Sequence, residues 1–206
     1  MSRAALVVFV LLGTLLSAVA AALWYARATG LSARAEAGAT EAQLARAVRR
    51  WAIPPEARVR PNPVTRSDDA LAQGRAHFAD HCASCHANDG SGDTEMGRNL
   101  FPKSPDMRLP VTQELTDGEL FWIIENGIRF TGMPAWSTGT AGGEEASWQL
   151  VHFIRRLPDL TESEIEEMEG LNPRSPEEIR QDIEAERFLR GDDDVTTPSQ
   201  PSAHGH

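Results

Sequence analysis

The segment "HCASCHANDG", residues 81–90, contains the only two cysteines of the 206-residue chain. Two residues separate Cys82 from Cys85, and His86 follows directly. Cysteines at this spacing occur as a thiol redox pair, as half of a zinc site, or as the anchors of a covalently attached cofactor. Each kind of site needs different residues elsewhere in the chain, so the rest of the sequence discriminates among them.

The remaining sequence favours covalent attachment. A thioredoxin-like pair belongs to a βαβ pattern, which is not present, and a structural zinc needs four ligands. The nearest extra zinc ligands, His77 and His81, precede the motif on the same predicted helix. C-x-x-C-H is the attachment sequence of c-type haem, in which two thiols add to the vinyl groups and the histidine binds the iron. We therefore predict one covalent haem c on Cys82 and Cys85, with His86 as an iron ligand.

A second iron ligand is expected downstream, because a thioether is a suitable soft ligand for haem iron. Within residues 67–157, three methionines follow the motif: Met96, Met107 and Met133. Met96 comes only ten residues after His86 and has little chain with which to pass around the ring edge. Met107 is compatible with a core or loop position. Met133 lies in "FTGMPAW" after an intervening predicted helix, so we predict that Met133 is the second axial ligand.

The N-terminal region, residues 1–25, predicts a transmembrane anchor. Residues 4–25 are uncharged and, at ~1.5 Å per residue, long enough to cross a ~30 Å hydrocarbon core. A cleavable signal peptide is the alternative, since "SAVAA" provides the small residues of a cleavage site. Trp24 and Tyr25, at the position of an interfacial aromatic belt, favour the anchor. Either interpretation exports the remaining chain, and c-type attachment also predicts a periplasmic or extracytoplasmic haem domain.

Charge divides the chain into three parts: residues 1–67 carry +6, residues 68–157 carry −6, and residues 158–206 carry −10. Within residues 26–66, a predicted juxtamembrane helix contains Arg46, Arg49 and Arg50. Two interpretations stay open for it: contact with anionic headgroups, or a solvated stalk. The prolines that follow predict a stiff, extended linker; they are Pro54, Pro55, Pro61 and Pro63.

Residues 67–157 predict a small all-helical domain without strands. Ser67 is a candidate cap for a helix that runs into Cys82. Thr116 and Glu119 form a capping box for a second helix, which ends at Gly127. A third helix turns apolar residues inward and ends at Pro158; these residues are Trp148, Val151, Ile154, Phe153 and Leu157.

Residues 158–190 predict an acidic helical extension. Thr161 with Glu164 caps its first helix, and Ser175 with Pro176 starts the second, which ends at Gly191. The extension has a thin apolar stripe, and two possibilities stay open: packing on the preceding domain, or binding a partner. Residues 191–206 are expected to be disordered, with His204 and His206 exposed to solvent.

Residues 67–157, a little under half of the chain, resemble a class I cytochrome c with a membrane anchor. The resemblance is carried by a helix with a glycine and an aromatic, then "CASCH", a proline-bearing loop, the helix after Thr116, "GMPAW" and a last helix with Trp148. It implies that the first and last helices cross at Gly74, with Trp148 or Phe153 on the other side. The acidic extension departs from the family pattern.

The resemblance also implies residues around the haem. A loop proline carbonyl typically accepts the hydrogen bond from Nδ1 of the proximal histidine; Pro102 is the candidate and Pro105 the alternative. Arg98 is a candidate partner for the haem propionates. Further candidates for that role are Trp122, Arg129 and Trp136.

The expected function is single-electron transfer, because His/Met ligation leaves no open coordination site and raises the iron potential. The alternatives are a haem-based redox or gas sensor, and a haem subunit of a larger membrane oxidoreductase complex, such as a respiratory complex. Lys103 is the only lysine, so we expect redox protein partners with a basic docking face, or apolar contact around the haem edge. The expected partners include the membrane but no nucleic acid.

Overall fold

The computed structural model of the protein describes residues 2–30 and 32–190. This part of the chain is helical and contains no β-strand, which confirms the predicted all-α fold class. A π-helical turn and a 3₁₀ turn interrupt the α-helices. In chain order the elements are α1 (Arg3–Thr29), α2 (Ala39–Ala52), α3 (Pro55–Arg58), α4 (Asp68–His77), the π turn (Phe78–Cys82), α5 (Ala83–His86), α6 (Glu95–Asn99), α7 (Pro110–Gln113), α8 (Asp117–Asn126), α9 (Ala141–Arg156), the 3₁₀ turn (Leu157–Asp159), α10 (Glu162–Glu169) and α11 (Pro176–Arg190).

Helix α1 is long and apolar enough to cross a membrane. Within its segment Arg3–Ala28, an 18-residue stretch has a mean hydropathy of 2.7, and none of that stretch is buried inside the protein. A signal sequence near the N-terminus has the same properties, so both sequence interpretations stand. The extracytoplasmic position of the following residues stays a prediction.

Helices α4 and α9 cross at Gly74. A Cβ atom at this glycine would lie 2.3 Å from the backbone oxygen of Gln149 and 3.1 Å from Cβ of Phe153. Next to the crossing, Phe78 packs on Phe153 with ring centroids 5.2 Å apart. The crossing expected at Gly74 is therefore confirmed, with Phe153 on the opposite side. Trp148 instead stacks on a residue of α8.

Helix α8 follows its sequence signals closely. The hydroxyl of Thr116 accepts from the amide of Glu119, and the Glu119 carboxylate accepts from the Thr116 amide, which completes the predicted capping box. The helix ends at Gly127, which has a φ of +64°. Its buried Phe121 stacks on Trp148 of α9 with ring centroids 3.9 Å apart. These aromatic rings join α8 to α9.

The proline-rich segment after α2 packs on the helical domain, unlike the extended linker expected from its composition. Ile53 is fully buried in the hydrophobic core. The Arg60 guanidinium lies over the rings of both Phe121 and Trp148, at 4.8 and 5.2 Å from their centroids. The Asn62 amide donates to the Trp148 carbonyl at 3.0 Å. Long-range contacts therefore override the local preference of proline for extended chain.

The first helix of the acidic extension also packs on the domain. Met168 of α10 is fully buried within the same hydrophobic core. Arg75 of α4 forms an ion pair with Glu167 at 2.9 Å. Since α10 contributes to this core, the extension is in part a structural element of the domain. The predicted capping box of Thr161 and Glu164 is present.

Among the described residues, 172–190 belong to a second compact unit. Within it, α11 begins after Ser175, whose hydroxyl accepts from the amide of Glu178 at 3.2 Å. Ile179 and Ile183 are exposed. The predicted helix stop at Gly191 and the tail of residues 191–206 lie outside the described residues.

The crossing contact makes a prediction about stability. Replacing Gly74 with alanine should lower the free energy of unfolding by about 2 kcal/mol, because overpacking outweighs the gain in helix propensity. Denaturant unfolding of the full chain measures the change. The matched control is Gly142→Ala in α9, where an added Cβ meets nothing within 4 Å. Equal stability of the two variants would contradict the close crossing.

Candidate haem site

The C-x-x-C-H motif lies where the helix that begins at Ser67 changes geometry. The chain passes from α4 through the π turn into α5, so that Cys82, Cys85 and His86 lie within five consecutive residues of continuous helix. Short π-helical turns are frequent at functional sites. The predicted helix into Cys82 is therefore present, although its last turn is wider than an α-helix.

Both cysteines are free thiols and half-buried. Burial, and secondarily the nearby Cys85, raises the pKa of Cys82 to about 12. Since the thiolate is the reactive nucleophile and the metal ligand, this environment disfavours both roles for Cys82. A thioether has no charge to bury, so the environment of Cys82 fits covalent attachment to an apolar cofactor.

A glycine-rich loop closes over the C-terminal end of α5. The Gly92 amide donates to the His86 carbonyl at 2.8 Å, and the Thr94 hydroxyl donates to the Ser84 carbonyl at 2.8 Å. A Cβ atom at Gly97 would lie only 2.3 Å from the Cys85 carbonyl oxygen. The two hydrogen bonds satisfy carbonyls that a helix end leaves without partners, and the missing side chain of Gly97 lets the loop approach.

The His86 ring is orientated towards the loop that contains Pro105. Burial lowers the pKa of His86, and the smaller, opposing effect comes from the backbone carbonyl of Pro105. This contact is not a well-formed hydrogen bond, because Nδ1 of His86 is buried without a hydrogen-bond partner. Pro102 lies on the same loop. The choice between Pro105 and Pro102 as the acceptor for Nδ1 of His86 stays a prediction.

An arginine holds this loop in place. The Arg108 guanidinium donates to both carboxylate oxygens of Asp106, at 2.9 and 2.7 Å, and to Asp89 at 2.8 Å. The hydrogen bonds from Arg108 lower the pKa of the Asp106 carboxyl. The Met107 amide donates to the Gly90 carbonyl at 2.8 Å. Sequence analysis missed this network, because its members are separated by up to 19 residues and form no local motif.

The segment that contains Met133 is attached to the end of α8. The amide of Ile128 donates to the Met133 carbonyl at 3.1 Å, and the amide of Trp136 donates to the Ile124 carbonyl at 3.0 Å. At Gly127, a Cβ atom would lie 2.7 Å from the Met133 carbonyl oxygen. We call residues 131–137 the methionine strap. Its backbone position is determined by the preceding helix.

The three methionines occupy different environments. Met107 is buried in the hydrophobic core, in keeping with the core position considered for it. The sulfur of Met96 lies 3.2 Å from the Cys85 sulfur, beside the attachment thiols. Met133 is half-buried on the methionine strap. A role for Met133 as an iron ligand stays a prediction.

The propionate candidates lie in distinct places. Arg98 of α6 is exposed and forms an ion pair with Asp93. Trp122 is half-buried against the hydrophobic core, and Arg129 is exposed. Their proposed contact with a propionate stays a prediction.

Trp136 contacts the residue that precedes Cys82. Its ring stacks on the His81 ring, with centroids 5.3 Å apart and planes 23° apart. His81 also meets the His77 ring edge to face, with centroids 5.0 Å apart. The methionine strap thus touches the helix that ends in the attachment motif. In residues 2–30 and 32–190, no group of three His, Cys, Asp or Glu side chains is placed to hold a metal ion.

The close contact at Gly127 predicts the behaviour of the methionine strap. In Gly127→Ala, the added Cβ should displace the strap. The backbone amides of Trp136 and Ser137 should then exchange hydrogen faster, by about tenfold for each 1.4 kcal/mol by which the local stability falls. Hydrogen exchange with mass spectrometry measures this. Gly139→Ala is the matched control, since Gly139 has a similar positive φ but an added Cβ meets nothing within 4 Å. Equal exchange in both variants would contradict the proposed restraint.

Comparison with known proteins agrees with this geometry. Residues 69–154 match the family model described as "Cytochrome C oxidase, cbb3-type, subunit III". No curated protein is significantly similar to the chain. The matched range contains most of α4, the attachment motif, the loop with Pro105, α8, the methionine strap and most of α9. Residues 69–154 therefore form a cytochrome c domain, a class of domain that transfers electrons through haem.

Proposed function

We propose that this protein is a membrane-anchored, single-haem electron carrier with His86 and Met133 as its axial ligands. The observation that carries the proposal is the pairing of the attachment motif with the methionine strap. The motif lies on one continuous helix, and backbone hydrogen bonds from α8 hold the strap that touches this helix through Trp136 and His81.

Each site residue has a distinct role in the proposal. Cys82 and Cys85 hold the haem by thioether bonds, His86 is the proximal ligand, and Met133 is the distal ligand. The Pro105 carbonyl would accept from Nδ1 of His86 in the haem-bound protein and so orientate the ring. The bound haem supplies iron that accepts and releases one electron. The protein supplies ligands that stay in place in both oxidation states.

The restraint on the methionine strap favours a carrier over a sensor. A sensor would require Met133 to leave the iron so that a gas or other ligand can bind. The hydrogen bonds of Ile128 and Trp136, and the tight contact at Gly127, oppose such a movement. A permanently six-coordinate iron suits electron transfer, because the site changes little between oxidation states.

We place the cytochrome c domain on the extracytoplasmic side of a membrane, most simply in the periplasm. The apolar helix α1 supports an anchor by its length and composition. Covalent haem attachment outside the cytoplasm supports the orientation. The packing of Ile53 and Arg60 on the domain shortens the connection to the membrane.

The charges of the domain suggest what kind of redox partner it meets. Residues 68–157 carry −6, and Lys103, the only lysine, pairs with Glu36 at 2.9 Å. A partner with a basic docking face is complementary to this surface. Phe130, beside the methionine strap, is 93% exposed and offers an apolar contact. The family description names an oxidase subunit, so assembly in a membrane oxidoreductase complex is compatible with the proposal.

The ligand assignment predicts a specific optical change. The oxidised full-length protein should show the weak long-wavelength charge-transfer band of sulfur-ligated ferric haem, and its reduced form should not bind carbon monoxide. Met133→Ala should abolish the band and create carbon monoxide binding, because it opens a coordination position. Met96→Ala is the matched control and should leave both properties unchanged.

A wild-type protein that binds carbon monoxide would contradict the closed site and favour the sensor. Loss of the band in Met96→Ala instead of Met133→Ala would assign the ligand to the other methionine.

The loop geometry predicts a difference between two prolines. Pro105→Ala should loosen the carbonyl that orientates His86, reduce electron donation to the ring and raise the midpoint potential. The expected increase is below about 59 mV, the value for a tenfold change in a one-electron equilibrium. Potentiometric titration measures it. Pro102→Ala is the control and should change the potential less, and the reverse order would assign the role to Pro102.

A further inference from the structure

Three arginines of α2 share a cavity with the cytochrome c domain. Arg46, Arg49 and Arg50 lie on one side of this helix, and the cavity that they line measures about 410 Å³. Val111 of α7 and Glu114, the residue after α7, complete the lining. A water molecule occupies about 30 Å³ in the liquid, so the cavity has room for a polyatomic ion with its water.

The side chains of these arginines have no acceptor among the described residues. Within residues 2–30 and 32–190, none of the three guanidinium groups forms an ion pair or a side-chain hydrogen bond. The Nε atom of Arg49 is buried and has no hydrogen-bond partner. The carboxylate of Glu114 lies beyond 4.0 Å from all three groups, although it lines the same cavity. A buried donor without an acceptor costs free energy, which a bound acceptor would recover.

The charges around Arg49 also favour an anion. Burial lowers the pKa of Arg49, and repulsion by Arg50 and Arg46 lowers it further, while Glu119 opposes this effect. The positive charges of the three guanidinium groups therefore repel one another at their positions in the folded protein. A doubly charged oxyanion between them would turn this repulsion into attraction.

We propose that the cavity of Arg46, Arg49 and Arg50 binds an oxyanion of the phosphate class. Guanidinium groups suit this chemistry, because their planar pairs of N–H donors match phosphate oxygens. The two sources of such a group are free inorganic phosphate and the headgroup of an anionic lipid. The site is separate from the haem motif, so its function does not depend on the proposed electron transfer.

The lipid source is within reach of the site. Helix α2 begins ten residues after the last residue of α1. A connection of this length spans at most about 35 Å when fully extended. If α1 lies in a bilayer, the length of this connection therefore allows the cavity to reach a headgroup.

The first experiment titrates inorganic phosphate into the detergent-solubilised full-length protein and follows binding by calorimetry. Arg46→Gln and Arg50→Gln should each weaken binding about tenfold, the effect of losing one charge-assisted hydrogen bond. Glu114→Gln should strengthen binding, because it removes a negative charge from the cavity wall. Arg66→Gln is the control of equal charge, since Arg66 is exposed and lies outside the cavity.

The second experiment identifies the source. The full-length protein is placed in nanodiscs of either phosphatidylglycerol or phosphatidylcholine. It is then released from the nanodiscs in the mass spectrometer under native conditions, and the lipids that stay bound to it are counted. The wild-type protein should retain phosphatidylglycerol. If Arg50→Gln abolishes this retention and Arg66→Gln preserves it, the site binds a lipid headgroup. Phosphate binding in the first experiment without such retention would assign it to the free ion.

Several results would overturn the proposal. They are the absence of both phosphate binding and lipid retention, an equal loss in Arg66→Gln, and weaker binding in Glu114→Gln. The Glu114 variant keeps the test decisive even if an arginine variant fails to fold. The haem spectrum, recorded in parallel, reports on the electron-transfer site independently.

Discussion

The rest of the domain depends on the backbone contact between Gly74 of α4 and Gln149 of α9. Because Gly74 has no side chain, the two helices approach until a Cβ atom would be only 2.3 Å from a carbonyl oxygen. Helix α4 continues into the attachment motif, and α8, which supports the methionine strap, packs on the same α9 through Phe121 and Trp148. One helix therefore positions both groups of predicted haem ligands. The cytochrome c domain is held together by this arrangement as well as by any bound cofactor.

The features predicted well from the sequence arise from local physics. The capping box of Thr116 and Glu119 and the stop at Gly127 each involve residues within one or two helical turns. The C-x-x-C-H motif is similarly local, and the haem attachment expected from it stays a prediction. Gly74 could be interpreted only through the family resemblance, because a glycine within a helix does not reveal what packs against it.

The features not predicted depend on contacts between distant parts of the chain. Ile53 follows the predicted juxtamembrane helix and precedes two prolines, yet it is fully buried. The network of Arg108 with Asp89 and Asp106 holds the loop next to His86 and joins residues up to 19 positions apart. The cavity of Arg46, Arg49 and Arg50 requires α7 as its second wall. Neither periodicity nor local composition contains this information.

The central claim is that Cys82 and Cys85 are the covalent anchors of one haem, and intact-mass measurement tests it most directly. The protein would be produced with a c-type maturation system, denatured and measured, and its peptides mapped. The account predicts a mass increase equal to one haem, retained after denaturation and located on the peptide that contains Cys82, Cys85 and His86. An unmodified mass, a disulfide between the two cysteines, or a metal ion lost on denaturation would contradict it.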